Sequence, residues 1–165
     1  MPITVFDHFL DDVLIQQCID YSIQQYNVQN FQLNNQRDWG SNIVEDSGPV
    51  HVHSIPTASD LYQRIFAAVR NQTGNSPTSI MCYYWMPNSH ICWHNDTNHS
   101  GAVTIYLNRD WNPNHGGLFL YEQGSTIQAV LPIMNRAVMQ IGGEMHAVTC
   151  TTSRAPIRCT LQMFF

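Results

Sequence analysis

The chain of 165 residues contains no lysine. Its seven basic residues are all arginine, they are scattered, and the formal net charge is −5. A mildly acidic chain with no basic run offers no footprint for a phosphate backbone, so nucleic acid is not an expected partner. No C-x-x-C pair occurs, and the five cysteines (Cys18, Cys82, Cys92, Cys150 and Cys159) are odd in number. Both facts disfavour a disulfide framework or a zinc ribbon and point to reduced thiols in a cytoplasmic setting. The opening MPITVFDHFLDD lacks a charged stretch followed by an apolar one, so no signal peptide is expected. No apolar run approaches the length that spans a bilayer, so no membrane association is expected either. Internal repeats, low-complexity tracts and domain linkers are also missing, which leaves residues 1–165 as one expected domain.

The chain is rich in apolar residues, at 44%, against only 12% charged, a globular composition. Its length is enough for a real core without staples. Over residues ~9–26 apolar side chains recur near a 3.6-residue period, which predicts an amphipathic helix capped by Asp11 or Asp12. Residues ~58–71 predict a second helix, with Ser59 or Asp60 as cap and NQTGNSP as its stop. The intervening ~29–56 predict a loop with one or two short strands. From Thr78 onward short apolar or alternating runs follow one another: SIMCYYWM, HICWHND, AVTIYLN, GLFLYE, TIQAVLPI, RAVMQIG, HAVTC and IRCTLQMFF. Such a series predicts a β-sandwich or double-sheet jelly roll, with the helices packed outside one sheet.

Eight histidines are present, and H-x-D alone is a weak signal. His94 and Asp96 stand out because they end a predicted strand, where positions i and i+2 share a face. His146 opens another strand after IGGEM and is the third candidate. Two histidines and one carboxylate occupy one face of an octahedron and leave the other open, which suits Fe(II) enzymes that hold O₂ and an organic co-substrate. Zinc prefers closure by more His or Cys ligands. His115, in WNPNHGG, reads as a turn residue. Arg158 opens the last strand, with Thr160 two residues on and on the same side. Arg158 either faces inward and needs a buried anion, such as a co-substrate carboxylate assisted by Thr160 or Tyr106, or it faces out or pairs with Glu122 or Glu144.

Taken in order, CYYWMPNSHICWHNDT, VTIYLNRDW, HGGLFLYE and HAVTCTTSRAPIRCTLQMFF resemble the 2-oxoglutarate/Fe(II)-dependent dioxygenases of the prolyl 4-hydroxylase type. Within that family the likeness is to the hypoxia-factor prolyl hydroxylase branch and its bacterial and phage relatives. It runs from Ile80 to Phe165. The resemblance implies a mainly β fold, a double-stranded β-helix (jelly roll) with N-terminal helices packed on one sheet. It implies Fe(II) held by His94, Asp96 and His146, and 2-oxoglutarate held by Arg158 with Tyr106 and Thr160, Tyr84 lining the same pocket. It implies hydroxylation of a C–H bond with O₂, releasing succinate and CO₂. Ascorbate is expected to support the activity, and the expected substrate is a prolyl residue in a protein or peptide. Arg154 and Arg158 straddle the usual distance from the distal histidine; Arg158 is preferred because an apolar alternation follows it. Residues 34–48 are either a substrate-facing flap, with Arg37 and Trp39 as contacts, or an ordinary polar loop whose Trp is anchored to the core. Trp93, Ile105 and Met139 either shield the site or, the commoner role for such residues, pack in the core. The competing expectations are a same-fold oxygenase of a free amino acid or small metabolite, a non-catalytic jelly-roll binding module, and a cupin-like metal enzyme with no need of Arg158.

Overall fold

A computed structural model describes residues 3–34 and 39–165. A first strand, β1 (Ile3–Phe6), precedes helix α1 (Asp12–Asn27). Asp11 caps α1 by accepting the Leu14 amide at 2.7 Å, and Leu14, Ile15, Cys18, Ile19 and Ser22 form its buried stripe. Strand β2 (Gln32–Leu33), the short helix α2 (Ser41–Glu45) and β3 (Val50–Ser54) follow. Helix α3 (Asp60–Thr73) starts at Ser59, whose hydroxyl accepts the Tyr62 amide, and stops at Gly74 with φ +75°. A side chain at that left-handed position would be strained, which is why the helix ends on glycine.

The rest is strand: β4 (Ser79–Trp85), β5 (Ile91–His94), β6 (Gly101–Tyr106), β7 (Phe119–Gln123), β8 (Thr126–Val130), β9 (Ala137–Ile141), β10 (His146–Val148) and β11 (Arg158–Phe164). Each of the eight runs read from the sequence after Thr78 overlaps one of these strands. They form two antiparallel sheets, a major one ordered β1-β9-β6-β11-β4-β3-β2 and a minor one ordered β5-β10-β7-β8. The architecture is the expected jelly roll. β1 lay outside the strand series; it is a four-residue edge strand on β9. Too short for its own periodicity to register, it owes its existence to that pairing. Among the described residues no helix is long and apolar enough to cross a membrane.

The major sheet is covered on both faces. One face packs on α1 and α3 through Cys18, Ile65, Val69, Ile80, Cys82, Tyr84, Val103, Ile105, Leu161 and Met163. The other faces the minor sheet, with Val50, Val52, Tyr83, Trp85, Tyr106 and Val138 meeting Ile91, Phe119, Val130 and Val148. Register decides which residue goes where, because side chains directly opposite on neighbouring strands share a face. Arg158 pairs with Trp85, and Thr160 pairs with both Tyr83 and Tyr106. All five therefore point between the sheets. Tyr84 and Cys159, one residue out of phase, point to the helices.

Candidate metal centre and anion pocket

The bottom of the minor sheet brings two histidines face to face. His146 on β10 is directly opposite His94 on β5, with ring centroids 4.1 Å apart. Each ring is fixed by its own backbone: Nδ1 of His94 lies 2.8 Å from the Cys92 carbonyl, and Nδ1 of His146 lies 2.8 Å from the Glu144 carbonyl. A carbonyl oxygen only accepts, so both Nδ1 atoms donate, and in each neutral ring the lone pair sits on Nε2. Both Nε2 atoms face Asp96, at 3.6 Å from Oδ1 for His94 and 3.6 Å from Oδ2 for His146. The ligand atoms of all three residues lie within 4.8 Å of one another. Phe119 stacks on His146 at 5.4 Å and restricts the ring further. Burial, and then the neighbouring His94, lower the His146 pKa, which favours the neutral ring a metal needs. Two oriented lone pairs and a carboxylate converge on one point, and each Nδ1 is held by a carbonyl, as the free ring nitrogen of a metal-binding histidine usually is.

Across the gap, on the major sheet, lies Arg158. It is 1% exposed, and its guanidinium carbon sits 4.9 Å from the Trp85 ring centre and 5.1 Å from that of Tyr106. Its Nε and Nη1 atoms, and the Tyr106 hydroxyl, have no hydrogen-bond partner of normal geometry. Among the described residues no carboxylate pairs with it, so the outward and Glu122 or Glu144 alternatives do not apply. Burial works against the guanidinium charge and Tyr106 partly offsets this; burial also raises the Tyr106 pKa, keeping the phenol protonated as a donor. A fully buried cation with orphaned donors is costly by several kcal/mol unless an anion completes it. Aromatic faces recover part of that, about 0.5–2 kcal/mol for each cation–π contact. Thr160 accepts the Trp85 indole N–H at 3.3 Å, which fixes the ring against which Arg158 lies.

The glycine pair of HGG explains how a large side chain fits here. At Gly117, with φ +69°, a Cβ would stand 2.9 Å from Cδ and 3.3 Å from Nε of Arg158. At Gly116, with φ +70°, it would collide with the Cys150 carbonyl at 2.1 Å. Only glycine lets this loop close over the arginine stem.

One pocket contains His94, Asp96, His146 and Arg158 together, walled by Trp39, Tyr83, Trp85, Ile91, Phe119, Val148 and Phe164. The profile of the 2OG-Fe(II) oxygenase superfamily matches residues 78–165, the stretch that supplies all four. The chain belongs to that superfamily. Among solved structures, a Pseudomonas putida prolyl-4-hydroxylase superposes with TM-score 0.78 at 16% identity, covering 99% of this chain and 92% of that one. A Trichoplax adhaerens prolyl hydroxylase in complex with a hypoxia inducible factor oxygen degradation domain peptide fragment gives 0.82 at 14% identity, covering 99% and 83%. The non-haem alpha-ketoglutarate-dependent epimerase SnoN from nogalamycin biosynthesis gives 0.70 at 12%, covering 99% and 76%. At these identities the likeness shows the fold. A search of curated protein sequences found no match.

Several expectations change in the superfamily frame. Tyr84 does not line the pocket. It faces the helices, and its hydroxyl donates to the Ser22 carbonyl at 2.9 Å. Its neighbours Tyr83 and Trp85 take the pocket side. Ile105 belongs to the helix-side core and Met139 packs against it, while Trp93 is 38% exposed, so none of the three shields the site. Arg154 is exposed in the loop before β11, away from the pocket. His115 lies in a short 3-10 turn, Pro113–His115, edge-on to Trp111. Within residues 34–48, Trp39 reaches the pocket and contacts Tyr83 and Trp85 at 6.4 and 6.3 Å between centroids, whereas Arg37 lies outside the described residues.

Sequence reasoning also missed Gln140, Gln162 and Thr104. These pocket residues sit on the inner face of β9, β11 and β6. The signal was available: a polar residue on the inward phase of an apolar strand asks for a partner, as it does for Arg158.

Proposed function

We propose that the chain is an Fe(II)- and 2-oxoglutarate-dependent dioxygenase that hydroxylates a prolyl residue in a protein or peptide. The observation that carries the co-substrate assignment is Arg158, a buried guanidinium with unused donors, lying in one pocket with two oriented imidazoles and a carboxylate. His94, Asp96 and His146 would hold the metal, and Arg158 with the Tyr106 hydroxyl would bind the distal carboxylate of 2-oxoglutarate. Bound Fe(II) would supply the redox chemistry that couples oxidation of 2-oxoglutarate to succinate and CO₂ with insertion of one O₂ oxygen into a substrate C–H bond.

The protein's own contributions are position, dryness and charge. The fork of Arg158 fixes the far end of the co-substrate and so aims its near end at the triad. Ile91, Phe119, Val148 and Trp85 exclude water between the two ends. Trp39 and Phe164 form aromatic walls against which a pyrrolidine ring can lie. The prolyl assignment is supported by that aromatic wall and by the fold shared with prolyl hydroxylases. A second reading, oxidation of a small molecule, is favoured by the superposition, at TM-score 0.70, on an epimerase of antibiotic biosynthesis. Residues 1–165 would act as one domain, since both cores share the major sheet.

Succinate formation with Fe(II), 2-oxoglutarate, O₂ and ascorbate, beside a His94→Ala control, tests the class without a substrate. Succinate from wild type and none from the variant is expected. Proline-containing peptides and free amino acids are then compared for product mass. Turnover of free amino acids alone would replace the peptide reading with the small-molecule one. Absence of 2-oxoglutarate binding would return the chain to a non-catalytic or cupin-like role.

A further inference from the structure

Gln140 sits on the inward phase of β9, directly opposite Ala102 on β6 and Ile3 on β1. It is 7% exposed. Its side-chain amide crosses from the major sheet to the minor one and hydrogen-bonds Asp96 Oδ2. The small Ala102 beside it leaves room for the long side chain to turn toward the carboxylate. Asp96 itself follows the end of β5 and belongs to no strand. No strand ladder orients it, so something else must.

We propose that Gln140 is a positioning residue for the metal centre: it holds one oxygen of Asp96 and leaves the other to bind the metal. The proposal rests on the metal assignment above and adds a residue to it. The chemistry fixes the direction of the bond. A carboxylate only accepts, so the amide nitrogen must be the atom that faces Asp96. With that donor on Oδ2, which also stands 3.6 Å from Nε2 of His146, Oδ1 is the less encumbered oxygen and lies 3.6 Å from Nε2 of His94. A carboxylate held by one oxygen this way presents a single ligand atom and keeps further coordination positions open, as co-substrate and O₂ require.

The same orientation leaves Gln140 Oε1 as a buried acceptor with no partner. An unmet buried acceptor is destabilising, so a stability-only role would not favour this arrangement. Methionine has nearly the same length and volume and would satisfy packing at less cost. The polar atom is retained because Asp96 needs its donor.

The test is a metal titration of purified Gln140→Met and wild type with Co(II), followed by its visible absorption, beside the thermal midpoint of each metal-free protein. The dissociation constant for Co(II) is expected to rise about 10–100-fold in the variant, the range typical for loss of an outer-shell partner. The metal-free midpoint is expected to hold or rise. Equal Co(II) affinity in both proteins overturns the proposal. A fall in midpoint with unchanged affinity also overturns it, since Gln140 is then a packing residue. Failure of wild type to bind Co(II) overturns the metal reading itself, and is distinguishable because it does not involve the variant. If Gln140→Met does not fold, the Gln140 side-chain amide protons of wild type are followed by NMR. Slow solvent exchange and a shift on adding Zn(II) support the proposal. Fast exchange with no response to Zn(II) overturns it.

Discussion

The two faces of the major sheet are built from alternate residues of the same strands, yet they are chemically opposite. On β11 the helix-side phase is Cys159, Leu161 and Met163, whereas the pocket-side phase is Arg158, Thr160, Gln162 and Phe164. On β4 the helix side takes Ile80, Cys82 and Tyr84, and the pocket side takes Tyr83 and Trp85. The titratable groups on the helix side are silenced: burial pushes the Cys18 thiol up to about 12 and the Cys159 thiol up to about 11, so neither is a nucleophile near neutral pH. On the pocket side, burial leaves donors without partners. One face is closed chiefly by apolar packing, and the other holds the buried, unpaired donors of a cation that calls for a ligand. Stability and affinity should therefore separate cleanly when single residues on one strand are changed.

Arg158→Leu should give the largest effect. Two charge-assisted hydrogen bonds at about 1.5–3 kcal/mol each would be lost with the guanidinium. That corresponds to a 2-oxoglutarate dissociation constant about 10²–10⁴-fold higher, readable by calorimetry on the Mn(II)-loaded protein. The same change removes a buried, unpaired charge, so the metal-free protein should unfold at the same or a higher temperature. A large loss of stability in the ligand-free protein would mean that Arg158 already has its anion within the fold.

Leu161→Ala, three residues along the same strand, should do the reverse. Leu161 is wholly buried in the helix-side core, and truncation there costs about 2–5 kcal/mol. Urea unfolding should report that loss, while 2-oxoglutarate affinity at low temperature stays within a factor of about two, the scatter expected of sites with no shared partner. A parallel loss of affinity would show that the two faces are mechanically coupled.

Gly117→Ala probes the boundary between the two regimes. The added methyl would press on the Arg158 stem and occupy a left-handed backbone position. Both effects are of order 1–3 kcal/mol. Affinity for 2-oxoglutarate should fall about tenfold, and stability should fall as well. A stable variant with full affinity would mean that the HGG loop does not set the arginine.

How legible this was from sequence follows the same division. Every strand after Thr78 was readable, because apolar alternation is a property of the strand itself. Local chemistry narrowed each cap to two adjacent residues, Asp11 or Asp12 and Ser59 or Asp60, and the stop to the turn NQTGNSP; the structure selects Asp11, Ser59 and Gly74. His94 and Asp96 stood out by their i, i+2 spacing at a strand end and His146 as the opening of another strand, whereas spacing left Arg158 inward or outward and family resemblance favoured inward; the structure brings the four into one pocket. What failed was phase. CYYW has three aromatic residues in a row, so periodicity says nothing about which of Tyr83 and Tyr84 turns inward; only pairing with β11 decides it. Whether Trp93, Ile105 and Met139 shield the site or pack elsewhere was open for the same reason, since apolarity does not say which side of a sheet is meant. The β1 strand and the contact between Gln140 and Asp96 depend on pairing across 100 residues or more of chain or between two sheets, and no local window contains either.

Tyr84→Phe gives the smallest effect and tests the phase assignment itself. The Tyr84 hydroxyl donates to the Ser22 carbonyl at 2.9 Å, far from Arg158 on the other side of the sheet. That bond ties α1 to β4, and losing it should cost about 1 kcal/mol of stability. The phenyl ring stays packed against Tyr26 and Phe31, so the helix should remain docked. Because every contact of Tyr84 lies on the helix face, 2-oxoglutarate affinity should not change. A tyrosine lining the co-substrate pocket would instead lose a hydrogen bond to the ligand and weaken binding several-fold with little change in stability. Denaturation midpoint and ligand affinity measured on this one variant thus move in opposite patterns under the two assignments. A loss of affinity at constant stability would require β4 to be shifted by one residue against β11, carrying Tyr83 and Trp85 out of the pocket with it.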